Sequence, residues 1–182
     1  MITIVTRNKN KVSEIVAFFS DIVEVTHVDF DCFEPQANSV EEIARTKAEH
    51  AYAALGVPII VDDTGLFIDA LSGFPGPYAA YVQNTIGNTG VLRLMVGREM
   101  RNAHFATAVA YADATDVRVF SGRVDGTITT AERGTEGFGY DPIFAVGAKT
   151  FAEMTITEKN DLSHRAHALA AFRDWYVTSM ST

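Results

Sequence analysis

Cysteine is almost missing from this chain: Cys32 is the single one among 182 residues. One thiol makes no intramolecular disulfide and no cysteine-based zinc cluster, which fits a reducing compartment, and Cys32 reads as a packed residue rather than a nucleophile. Proline is sparse too, with 5 residues, and no repeat or low-complexity tract breaks the chain, so fibrous and repeat architectures are excluded. No apolar run is long enough to span a bilayer, and Met1 leads into a strand-like segment rather than a basic leader with an apolar signal core. A cytoplasmic protein with no membrane partner is expected. Positive charge is the other shortage. Lysine and arginine total 15 against 23 acidic residues, a formal charge of −8, whereas a duplex nucleic-acid binder needs a basic face over the phosphates. A small anion remains admissible where lysines converge locally.

What the chain does have is a core: 47% of its residues are hydrophobic. That suits one domain over 1–182, or two lobes sharing a sheet, without a linker. Ile2 to Val5 reads as a strand, followed by a polar loop and then Val12, Ile15, Val16 and Phe19 at helical spacing. Val23 to Val28 reads as a second strand. Ser39-Val40-Glu41-Glu42 has the spacing of a capping box that opens a helix through Ala54, stopped by Gly56 and Pro58. Ile59 to Val61 is strand-like, Ser72 to Tyr78 is an irregular loop, and Thr89 to Met95 is a short helix. His104 to Asp113 and Val117 to Thr129 form two strands of a hairpin, a short strand lies around Ile143 to Val146, and a final helix starts near Ser163.

Four polar segments carry chemistry. In Pro58-Ile59-Ile60-Val61-Asp62-Asp63-Thr64-Gly65 an apolar strand ends in two carboxylates, a hydroxyl and a glycine. Carboxylates at a strand's carboxyl end lie where open α/β sheets keep ligands and can hold a metal, although an isolated Asp-Asp-x-Gly is more often an acidic turn. Thr6-Arg7-Asn8-Lys9-Asn10-Lys11 joins a strand to a helix, where backbone N–H groups and the helix dipole favour phosphate; a polar cap with solvated lysines explains it equally well. Gly137-Phe138-Gly139-Tyr140-Asp141-Pro142 offers two aromatic faces to a base, unless those rings pack into the core. Glu158-Lys159-Asn160 with Ser163-His164-Arg165 reads either as a capped, solvated helix entrance or as a cluster of cations and a histidine at a site.

Together, in their order along the chain, the four segments resemble the inosine triphosphate pyrophosphatase family, and the resemblance covers nearly the whole chain. It implies an α/β fold with an elongated mixed sheet flanked by helices, two lobes, the active site in the cleft between them, and a homodimer. The implied reaction cleaves inosine, deoxyinosine or xanthosine triphosphate between the α and β phosphates, giving the monophosphate and pyrophosphate. On this chain the resemblance makes Asp63 catalytic and, with Glu34, a ligand of Mg2+. It makes Thr6, Asn8, Lys11, Lys47, Thr64, Phe138, Gly139, Tyr140, Asp141, Lys159, His164 and Arg165 substrate-binding, with Lys11, Lys47 and Lys159 as counter-charges to the triphosphate. Magnesium suits that set, since it is held by one or two carboxylates plus substrate phosphates and keeps several waters.

Asp62 stands apart, because neighbours on an extended segment point to opposite sides. It is expected to be a supporting carboxylate. For the base, hypoxanthine, xanthine and guanine carry a 6-oxo acceptor where adenine has an amino donor, and Arg165 is the expected donor; a mismatch of that kind discriminates by about 10⁴. One departure is the run Ala79-Ala80-Tyr81-Val82, where some relatives place a basic residue. Two other readings remain open at this point: a pyrophosphatase for another modified triphosphate, and a nucleotide sensor without turnover.

Overall fold

Parallel strands β1 (Ile2–Val5) and β2 (Val25–Val28) are joined by helix α1 (Lys9–Phe19), whose first turn is capped by Asn8 accepting from the amides of Asn10 and Lys11. The computed structural model describes residues 2–20 and 22–179; Met1, Asp21 and residues 180–182, which the expected 1–182 unit includes, lie outside the described residues. Helix α2 (Val40–Leu55) crosses over to β3 (Ile59–Ile68), which pairs parallel with β1. The chain then forms β4 (Pro75–Gly76), helices α3 (Ala79–Thr85) and α4 (Gly87–Leu94), and the long hairpin β5 (Asn102–Ala112) and β6 (Val117–Ile128). Short strands β7 (Phe144–Val146) and β8 (Lys149–Thr150) extend the sheet, and α5 (Ile156–Leu162) and α6 (His164–Ser179) close it. The order is β2-β1-β3-β5-β6-β7-β8 with β4 on β3, parallel at one end and antiparallel from β3 onward.

The period of two along β3 assigns each face. Ile59 and Val61 pack with Ala44, Ala48 and Ala51 of α2, whereas Ile60 packs with Ile15 and Phe19 of α1 and Leu169 and Phe172 of α6. A further cluster beyond the acidic segment gathers Leu66, Ile68, Phe105, Phe144 and Phe151. Hydrophobic cores therefore lie on either side of the acidic segment. Helix α6 approaches β6 so closely that a Cβ at Gly122 would collide with the His164 carbonyl and the Ala168 amide. Only glycine admits that contact, and it brings the first turn of α6 down onto the sheet.

Several expectations need correction. The strand expected at Ile59 to Val61 does not end in an acidic turn: β3 continues through Asp62, Asp63, Thr64 and Gly65, paired with β5 from Ile59 to Ile68. That uninterrupted antiparallel ladder overrides the poor strand propensity of the two aspartates. The second strand starts at Val25 rather than Val23. Ser39 caps α2 through the amides of Glu41 and Glu42, but Glu42 does not close a box; the Ser39 hydroxyl donates to Glu41 instead. Helix α3 follows the Gly- and Pro-rich segment, where only a later helix was expected, and Glu158-Lys159-Asn160 belongs to the separate helix α5 rather than to a solvated entrance of the last one.

Candidate active site

A break in the sheet creates the site. On one edge β3 pairs with β1 only at Ile59 and Ile60, and with β4 only at Leu66 and Phe67. Among the described residues no strand covers Val61 to Gly65 on that edge. This gap lies beyond the carboxyl end of β1, the usual ligand position in sheets containing parallel strands. Lysines fill it: Lys11 from α1 and Lys47 from α2 both donate to the Asp62 carbonyl, at 3.3 and 3.2 Å, in place of a strand partner.

The two carboxylates divide between the faces of β3. Asp62, 4% exposed, lies on the α1 and α6 side, 3.0 Å from Lys11 Nζ and 3.1 Å from Arg165 Nε. Burial alone would raise its carboxyl, but Lys11, Arg165 and Lys47 outweigh that and hold it far below the usual carboxylate range. Asp63, 9% exposed, lies on the α2 side, 3.3 Å from Lys47 Nζ, which is also 2.7 Å from Glu34 Oε1. Here burial dominates over Lys47 and Lys11, Glu34 and Asp62 add repulsion, and the Asp63 carboxyl is pushed up to about 6. Burial also lowers the Lys11 ammonium despite Asp62, whereas Lys47 is raised because Asp63 and Glu34 overcome its burial.

On the other wall, the turn bearing Phe138 is held by Asp141, which accepts from the Phe138 amide and from Lys159 Nζ, each at 2.7 Å. Gly137 is left-handed there (φ 72°), and a Cβ on it would strike the Asp141 carboxylate. Burial raises the Asp141 carboxyl against the pull of Lys159. Glu14 of α1, buried and missed by the sequence reading, joins both cations: Lys159 Nζ at 2.6 Å and the Arg165 guanidinium. Its partners are 145 and 151 residues away in sequence, and its only local signal is a place one helical turn after Lys11. Thr107 was also missed. It is fully buried, 2.7 Å from Thr64 Oγ1 and 2.6 Å from His164 Nδ1. Burial, with Arg165 and Lys159 nearby, keeps His164 well below the ordinary histidine value, hence neutral.

A cavity of about 460 Å³ opens between these walls, and every residue expected at the site lines it: Thr6, Asn8, Lys11, Glu34, Lys47, Asp63, Thr64, Phe138, Gly139, Tyr140, Asp141, Lys159, His164 and Arg165. Their surroundings refine the expectations. The Tyr140 ring is buried with its hydroxyl donating to Ala79 O, so Phe138 is the freer of the two aromatic faces. Lys159 sits 4.9 Å from the Phe138 ring and pairs with Glu14 and Asp141, whereas Lys11 and Lys47 meet Asp62 and Asp63. Arg165 already donates to Asp62, Glu14 and Thr64. Gln83 and Asn88 donate to Gly139 O, another support of the Phe138 turn that sequence alone did not reveal.

A divalent metal fits this arrangement. Asp63 Oδ2 is buried with no hydrogen-bond partner among the described residues, and the Glu34 and Asp63 carboxylates meet at one ammonium, that of Lys47. Two hard oxygen donors of that kind, without a larger protein cage, suit magnesium that takes its remaining ligands from phosphates and water.

The model of the Ham1 family matches residues 2–175. A dITP/XTP pyrophosphatase of Methanothermobacter marburgensis is 48% identical over 180 residues, covering 97% of this chain and 96% of its own. One from Thermococcus kodakarensis is 46% identical over 174 residues, 94% of each chain. Among solved structures, the Staphylococcus aureus Ham1 protein superposes with a TM-score of 0.85 at 30% identity, covering 98% of this chain and 100% of that one.

Proposed function

The chain belongs to the Ham1 family, and we propose that it hydrolyses non-standard purine nucleoside triphosphates, deoxyinosine and xanthosine triphosphate foremost, to the monophosphate and pyrophosphate. The observation that carries this reading is the division between Asp62 and Asp63: adjacent carboxylates, one paired with Lys11 and Arg165, the other at the cavity wall with a buried oxygen that no described residue meets and with burial raising its carboxyl. Such splitting is how a site acquires a proton acceptor that works near neutral pH.

In this reading the triphosphate lies along Thr6 to Lys11 at the start of α1, where the helix dipole favours an anion, with Lys11 and Lys47 offsetting its charge. Asp63 orients a water and accepts its proton as the water oxygen bonds to the α phosphorus and the bond to the bridging oxygen breaks; the electron pair leaves with pyrophosphate. Glu34 and Asp63 would hold Mg2+, which when bound offsets phosphate charge and lowers the cost of the leaving group. Asp62 keeps Lys11 and Arg165 in place. On the other wall Phe138 stacks on the base, and the remaining Arg165 N–H groups and His164 supply donors toward a 6-oxo purine. Lys159 is better placed to brace the Phe138 turn than to meet phosphate.

A cytoplasmic house-cleaning role follows from those substrates. The homodimer belongs to the same proposal: Phe74, Tyr78 and Tyr81 expose apolar surface, and their substitution by serine should shift the protein toward monomer in a sizing experiment. Incubation with magnesium and, separately, inosine, xanthosine, guanosine and adenosine triphosphates, followed by phosphorus NMR, tests the activity. Pyrophosphate chiefly from the first two is expected. Orthophosphate would overturn the cleavage site, and binding without turnover would replace the enzyme by a sensor.

A further inference from the structure

Helix α6 begins with His164, whose ring lies against Phe105 with centroids 4.6 Å apart. Its Nδ1 faces the fully buried Thr107 hydroxyl, while Nε2 makes no hydrogen bond among the described residues and the ring lines the cavity. A neutral imidazole presents one N–H and one lone pair, so what it offers a base depends on which nitrogen holds the proton. That choice is set at Nδ1 by a chain of hydrogen bonds, Arg165 to Thr64 to Thr107 to His164.

The chain could run in either direction between the two threonines, but its ends are unequal. Arg165 Nη2, 3.2 Å from Thr64 Oγ1, has no lone pair and can only donate. A hydroxyl that accepts from a guanidinium becomes a stronger donor, which favours Thr64 donating to Thr107 and Thr107 donating to Nδ1. In that direction each hydroxyl accepts once and donates once. Reversed, with Nδ1–H donating to Thr107 and Thr107 to Thr64, the half-buried Thr64 hydroxyl accepts twice and its proton leaves the chain for the cavity, so the chain forgoes the bond that the guanidinium strengthens. Burial and the flanking cations keep the ring neutral, so the tautomer rather than the charge is what remains to be fixed.

We propose that Thr107 is a positioning residue for substrate selection: relaying the polarity set by Arg165, it holds His164 as the Nε2–H tautomer, so that the ring presents a donor to the bound purine. A donor there complements a carbonyl oxygen of hypoxanthine or xanthine and is mismatched to the adenine amino group. The inference rests on the nucleotide-binding reading of the cavity, but its first readout does not need substrate.

The test is two-bond proton–nitrogen correlation NMR on protein labelled with nitrogen-15 in histidine, near pH 7.5, with H164N identifying the His164 signals among the five histidines. The wild type should give the Nε2–H pattern, T107V a mixture of tautomers or the Nδ1–H form, and T107S the wild-type pattern again, because serine restores the hydroxyl. The wild-type spectrum alone decides the first point: an Nδ1–H pattern would overturn the proposal whether or not the valine variant folds. In turnover, T107V should lower the preference for deoxyinosine over deoxyadenosine triphosphate by about tenfold, the scale of one mismatched hydrogen bond, and T107S should keep it. An unchanged tautomer and ratio in folded T107V would remove Thr107 from selection. Failure of the wild type to cleave deoxyinosine triphosphate would sink the functional reading while leaving the tautomer result intact.

Discussion

Asp62 and Asp63 are consecutive on one strand and nearly equally buried, yet their surroundings drive them apart. Asp62 faces α1 and α6, where Lys11 and Arg165 close on its carboxylate; Asp63 faces α2, where Lys47 is shared with Glu34. The first is held ionised and the second is lifted to about 6. The difference teaches that on a strand one residue of offset chooses the face, and the helix packed on that face chooses the chemistry.

The comparison breaks most visibly in turnover. Asp63→Asn should lower kcat by about 10³-fold, the range lost when a positioned proton acceptor is removed, in steady-state assays with deoxyinosine triphosphate. The same variant should unfold no more easily than the wild type at neutral pH, because it removes a buried charge that folding disfavours. Asp62→Asn should do the opposite to stability. It leaves Lys11 and Arg165 facing a neutral amide, and breaking a buried ion pair from one side costs about 3–5 kcal/mol, measurable by urea denaturation. The sign with pH agrees: the folded Asp62 carboxyl lies below its unfolded value, so its contribution is present above about pH 4 and is lost as acid protonates it.

Glu34→Gln sharpens the Asp63 side. It removes a carboxylate from the shared ammonium and from the proposed magnesium pair, and should raise the magnesium concentration for half-maximal activity by about tenfold or more. The smallest effect is on pH. His164 is held below its ordinary value, so the unfolded chain binds a proton below about pH 6.5 that the folded one refuses, and stability falls there by up to about 1.4 kcal/mol per pH unit. His164→Gln should flatten that part of the stability profile between pH 6.5 and 5, as followed by thermal or urea unfolding.

Much of the site was legible because four short segments, each open to a plainer reading alone, together resemble one family's motifs. Asn8 and Lys11 announce a strand-to-helix loop, and the period of two separates Asp62 from Asp63. The continuation of β3 was not legible. Two adjacent aspartates resemble a turn until Lys11, Lys47 and Arg165 arrive from 51, 16 and 103 residues away to neutralise them. Glu14 and Thr107 were hidden for the same reason, since an acidic residue on α1 and a threonine within β5 are ordinary until their distant partners are known. The hairpin of β5 and β6 followed from partial alternation and the α/β class from the family resemblance, whereas α3 and α5 were too short to signal themselves beside Gly-rich and charged segments.

The most direct test of the division between the two carboxylates is a carbon-13 carboxyl NMR titration of the metal-free protein, with Asp62→Asn and Asp63→Asn assigning the signals. Asp63 should titrate near pH 6 and Asp62 should stay ionised through the range in which ordinary carboxylates protonate. Coincident midpoints close to the ordinary aspartate value would contradict the account.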